Sequence, residues 1–147
     1  MTEVSFYHLY RRLEDALPKL LERVIASSQR AVVLAETDER VEALNSQLWT
    51  YSADSFLPHG AARDGLSKDQ PIFLTTAEEN PNGAAILVVV DERIPAYVGE
   101  FSRCLDLFND SDPSKQAARD RWRHYKGAGH QVVYWQQDEN GRWEKKA

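Results

Sequence analysis

Ala31-Val32-Val33-Leu34-Ala35 is the stretch that decides the fold. An unbroken apolar run of this length, part of it β-branched, is the pattern of a strand buried in the middle of a sheet, and such strands belong mostly to parallel sheets covered by helices. The flanks agree. Upstream, Val4 to Tyr7 reads as a short strand, and Leu17, Leu20, Leu21, Val24 and Ile25 recur at helical spacing, with Pro18 acceptable only near the first turn. Downstream, Thr37 is a fitting N-cap for a helix that puts Val41, Leu44 and Leu48 on one face. Two βα units in succession are thereby expected.

Further along, Ile72-Phe73-Leu74 and Ala85 to Val90 read as strands separated by the turn residues Asn80-Pro81-Asn82-Gly83. Arg103 to Phe108 alternates like a strand, after a stretch from Ala96 to Phe101 that fits a helical turn. Asp112-Pro113 has the order of a helix start, Ser114 to Lys126 holds no breaker, and Gly127 and Gly129 supply the stop. Gln131 to Gln136 reads as a last, edge strand, and residues 137–147 as a charged tail. The expected fold is a single α/β domain over residues 1–147, with a mostly parallel central sheet flanked by helices. Its topology is Rossmann-like without a nucleotide-binding motif.

The 147 residues, 42% of them hydrophobic, suffice for one core. Eighteen Lys and Arg against 23 Asp and Glu leave a net charge of -5, which argues against a duplex-DNA or anionic-membrane binder driven by whole-molecule charge. Any contact with nucleic acid is then mainly indirect. The single cysteine, Cys104, rules out an internal disulfide framework and fits a reducing, cytoplasmic setting. Met1 to Tyr7 lacks the basic and apolar regions of a signal, and the longest apolar run, Ala84 to Val90, is far short of the roughly 20 residues of a membrane span.

Motifs of catalysis are missing. There is no GxGxxG after the first strand, no GxxxxGK[ST] and no GxSxG elbow, so no cofactor and no catalytic residue is expected. His8, His59, His124 and His130 show no metal-ligand spacing. Asp106, Asp110 and Asp112 could imitate a nuclease metal cluster, although their place before a helix favours capping and solvation.

Two segments stand out instead. In the last helix Lys115, Arg119, Trp122 and Lys126 share one face, with Arg121 and Arg123 beside it, so a locally basic and aromatic surface sits in an acidic protein. It reads either as a solvated helix whose Trp122 turns inward beside Ala118 and Tyr125, or as a groove for an anionic group with an apolar neighbour. The second segment, Trp49 to His59, carries Trp49, Tyr51, Phe56 and Leu57 without regular periodicity. It is either satellite core or an apolar patch for another protein.

With these segments the chain resembles the chi subunit family of bacterial DNA polymerase III. The resemblance is carried by Phe6-Tyr7, Arg30 to Leu34, Leu48-Trp49, Asp54-Ser55-Phe56-Leu57-Pro58-His59, Lys115-Gln116, Ala118 to Trp122, Tyr125-Lys126 and Ala128-Gly129. It implies a non-catalytic α/β accessory subunit that binds the acidic C-terminal tail of single-stranded DNA-binding protein. On this sequence the implied tail site is Trp49, Phe108, Lys115, Arg119 and Trp122. The implied surface for a second partner, the psi subunit of the clamp loader or a DinG-like helicase, is Phe56 and Pro58. Phe108 and Trp122 depart from the smaller aliphatic residue and the tyrosine of some relatives. Rival readings are a degenerate α/β nucleotide or nucleic-acid-processing enzyme using Asp106, Asp110 and the basic helix, and a direct single-stranded DNA binder using Trp122 and Arg119.

Overall fold

The computed structural model describes residues 2–50, 59–61 and 67–147, the side chains of Trp49 and Thr50 excepted. Phe56 and Pro58 lie outside these residues. The elements are β1 (Glu3–His8), α1 (Leu13–Ala26), β2 (Ala31–Leu34), α2 (Asp38–Thr50), β3 (Gly60–Ala61), β4 (Ile72–Thr75), β5 (Ile86–Val89), β6 (Arg103–Phe108), α3 (Asp112–Gly127), β7 (Gln131–Gln137) and β8 (Trp143–Lys145). They form one eight-stranded sheet in the order β3-β4-β2-β5-β6-β1-β7-β8. All neighbours are parallel except β7 and β8. Ala31 to Ala35 is buried throughout, and its strand β2 is an inner one, between β4 and β5.

Each sheet face has its own core. One cluster joins Leu17, Leu21 and Val24 of α1 and Leu44 and Leu48 of α2 to Val33, Ile72, Val88 and Leu105 of the sheet. The other joins Ala118 and Tyr125 of α3 to Val4, Phe6, Val32, Leu87, Cys104 and Phe108. Among the described residues, α1 and α2 cover one face, and α3 with Tyr97, Val98 and Phe101 covers part of the other. The chain leaves β1 toward the α1 face and leaves the neighbouring β6 toward the α3 face. Such a divergence opens a crevice at the carboxyl ends of parallel strands.

Local chemistry accounts for the element ends. Thr37 caps α2, its Oγ1 accepting from the Arg40 amide at 3.1 Å. Pro18 falls in the second turn of α1, one turn later than the expected limit, and removes the bond that would have reached the Glu14 carbonyl. Gln47 of α2 fills that vacancy: its Nε2 donates to Glu14 O at 2.8 Å. The cap of α3 is Ser111, one residue before the expected Asp112, with Oγ accepting from the Ser114 amide. Asn80 clamps the turn before β5 by bonding both to and from the Ala84 backbone.

Two strands are additions to the expected set. β3 lies between the expected second helix and the expected strand Ile72-Phe73-Leu74. β8 lies in the charged 137–147 segment, so β7 is an inner strand and not an edge. Gln137 secures that return: its Oε1 accepts from the Tyr10 and Arg11 amides and its Nε2 donates to Gly141 O.

Candidate functional site

In a parallel sheet, residues paired across strands point to the same face, so the register fixes what lies under α3. Phe6 pairs with Asp106 on one side and Tyr134 on the other, and His8 pairs with Phe108. Phe6, His8, Asp106, Phe108 and Tyr134 therefore share the α3 face.

α3 meets that face with Ala118, Arg121 and Tyr125, which are buried at helical spacing. Arg121 anchors it: Nε and Nη2 donate to Oδ2 and Oδ1 of Asp106 at 2.7 and 2.9 Å, a bidentate pair in which both side chains are buried. Burial pushes the Asp106 carboxyl up, to about 6, against the downward pull of the Arg121 guanidinium. Burial also holds the thiol of Cys104 well above the ordinary range, so it sits protonated in the core.

With Arg121 fixed inward, the neighbouring face of α3 overhangs a cleft of about 350 Å³ lined by Phe6, Phe108, Lys115, Arg119, Trp122 and Tyr134, with Ala118, Arg123 and Ala147 completing it. Its floor is aromatic. Trp122 packs at 5.5 Å from Phe6 and 6.4 Å from Tyr134, and Phe108 lies 6.4 Å from Phe6. Its rim is cationic. Lys115 Nζ lies 3.5 Å from the exposed Asp112, Arg123 lies 3.4 Å from Asp120, and Arg119 makes one weak hydrogen bond to Gln116 at 3.4 Å among the described residues. Its guanidinium is thus open to an incoming acceptor. An apolar floor bounded by three cations suits a ligand with an apolar end and negative charge.

Four of the five residues assigned to the tail site thus come together: Phe108, Lys115, Arg119 and Trp122. Trp49 belongs to α2, which packs against α1, β3 and β4 on the opposite face of the sheet, and its side chain lies outside the described residues. Lys126, on the same helical stripe, is exposed and beyond the cleft. Phe6, Tyr134 and Arg123 were not singled out as cleft residues. The signal for Phe6 and Tyr134 was their alternation with Val4 and Val132, which becomes a shared wall only once the strand order is known.

The carboxylates of the enzyme reading are dispersed. Asp106 is sealed against Arg121, Asp110 bonds His8, and Asp112 is an exposed first-turn residue of α3. No group of three metal-ligating side chains occurs among the described residues, and no helix there is long and apolar enough to cross a membrane.

Residues 1–133 match the family described as DNA polymerase III chi subunit, HolC. The chain belongs to the DNA polymerase III chi subunit family. Among relatives, "Probable DNA polymerase III subunit chi" of Rickettsia prowazekii is 28% identical, with 99% of this chain and 92% of the relative aligned. DNA polymerase III subunit chi of Pseudomonas aeruginosa is 27% identical over 88% of this chain and 93% of its own length. The Escherichia coli subunit chi is 26% identical over 70% and 71%. Within this chi fold, Lys115, Arg119 and Trp122 fall inside the matched residues. The match ends in β7 just before Tyr134, so the outer wall of the cleft, Tyr134 with Ala147, lies beyond it.

Proposed function

We propose that this chain is a non-catalytic replication subunit whose cleft beneath α3 holds the acidic C-terminal tail of single-stranded DNA-binding protein. The observation that carries this reading is the juxtaposition of Arg119, open to an acceptor, with the Phe6, Phe108 and Trp122 floor. A peptide ending in an apolar residue offers both a carboxylate and a side chain to such a cleft. Arg119 takes the terminal carboxylate in a charge-assisted contact, the aromatic floor buries the last side chain, and Lys115 and Arg123 attract the preceding acidic residues. Contact with nucleic acid is then indirect, in keeping with the net charge of -5.

A second surface, around Phe56 and Pro58, joins the chain to the clamp loader through psi or to a DinG-like helicase. The helix that precedes this segment, α2, and the cleft helix α3 lie on opposite faces of the sheet. The subunit thereby bridges two partners in the cytoplasm and needs no cofactor. Capture experiments test the first part. The purified chain should retain full-length single-stranded DNA-binding protein and lose it when the last residues of that protein are removed. Equal capture of the tailless form would refute the assignment.

A further inference from the structure

His8 is a buried polar residue that the tail site does not use. Its Nε2 lies 2.6 Å from Asp110 Oδ1, its Nδ1 lies 2.6 Å from the Tyr134 hydroxyl, and its ring stacks on Phe108 with centroids 4.9 Å apart. Phe108 and Tyr134 both line the cleft. The direction of the hydrogen bonds follows from what each group can do. An ionised carboxylate only accepts, so Nε2 carries a hydrogen toward Asp110. In the neutral imidazole Nδ1 then holds a lone pair, and the Tyr134 hydroxyl must donate to it.

We propose that His8, oriented by Asp110, is a positioning residue that commits the Tyr134 hydroxyl proton inward, so that Tyr134 meets the ligand as a hydrogen-bond acceptor. The inference rests on the tail-binding reading of the cleft and adds a rule of selectivity to it. The cationic rim receives the carboxylate, whereas the Tyr134 wall receives a backbone N–H near the end of the peptide. A second acceptor at that position would meet lone pair against lone pair.

The test uses the full chain in mildly alkaline buffer. The probes are an acidic synthetic peptide with a free-carboxylate aromatic end, and copies N-methylated at one amide at a time over the last three residues. Wild type should bind the parent peptide and lose about fivefold in affinity at one methylated position, the value of a typical hydrogen bond. Tyr134→Phe should show no such position. His8→Phe keeps a ring against Phe108 and leaves the exposed Asp110 and the Tyr134 hydroxyl without their bonds to the imidazole. It should reduce the methylation penalty to about twofold or less, because the freed hydroxyl can turn its proton toward the ligand carboxylate.

A role confined to shaping the wall would weaken all peptides alike and leave the penalty intact. That result, or a His8→Phe protein with the full wild-type penalty, overturns the inference while leaving tail binding in place. Failure of wild type to bind even the parent peptide overturns the tail-binding reading, and this inference with it.

Discussion

Arg121 and Arg119 stand two residues apart on α3 and have opposite fates. Arg121 points to the sheet, is buried, and closes a bidentate pair with Asp106. Arg119 lines the cleft, is exposed, and has a weak bond to Gln116. Residue type and local charge are the same for both, so the helical phase relative to the sheet decides which one builds the fold and which one faces a ligand. The comparison extends to the whole helix: Ala118, Arg121 and Tyr125 attach it, and Lys115, Arg119 and Trp122 overhang the cleft.

The largest effect should come from the attaching face. Asp106→Asn leaves the Arg121 guanidinium buried without its counter-charge and should cost roughly 3–5 kcal/mol in urea unfolding. Replacing both partners, Asp106→Leu with Arg121→Met, should recover most of that loss, since the pair as a whole roughly balances its own desolvation. A loss under about 1 kcal/mol in the single variant would remove Arg121 as the anchor.

On the overhanging face the effects should reverse. Arg119→Ala should leave unfolding within about 0.5 kcal/mol of wild type while weakening a tail peptide by roughly 2–5 kcal/mol if its carboxylate is desolvated. Calorimetry together with urea denaturation on the same variant separates the two. Equal losses in stability and binding would mean that the two arginines do not divide their roles.

Lys115→Ala should do less, about 1 kcal/mol or below, because Lys115 stands at the exposed rim. That difference should shrink as salt is raised from low to physiological strength and beyond. The smallest effect on the cleft should be that of Phe56→Ala, which is expected to abolish the psi or helicase partnership yet leave tail-peptide affinity within about twofold. Loss of both activities in Phe56→Ala would show the two surfaces to be one.

Much of this arrangement was legible in the sequence. Unbroken apolar runs such as Ala31 to Ala35 expose a parallel sheet because strands covered on both faces lose the polar alternation. The stripe Lys115, Arg119, Trp122 is equally legible, since helical spacing is local. What was not legible depends on neighbours distant in the chain. Arg121 looked like one more surface cation, and only its placement above Asp106 turns it into an anchor. Phe6 and Tyr134 read as ordinary strand residues and His8 falls just past the expected strand, and the three become one wall because β1 extends to His8 and sits between β6 and β7. The return of β8 was obscured by charge, because Trp143 is its single large apolar residue.

The measurement that bears most directly on the central claim is titration of wild type and Arg119→Ala with a tail peptide bearing either a free or an amidated C-terminus. Amidation removes the charge that Arg119 is held to read and changes little else. Wild type should bind the free acid about tenfold or more tightly than the amide, and Arg119→Ala should bind the two nearly alike. Equal affinity of wild type for the two peptides would contradict the carboxylate clamp, even if both peptides bind well.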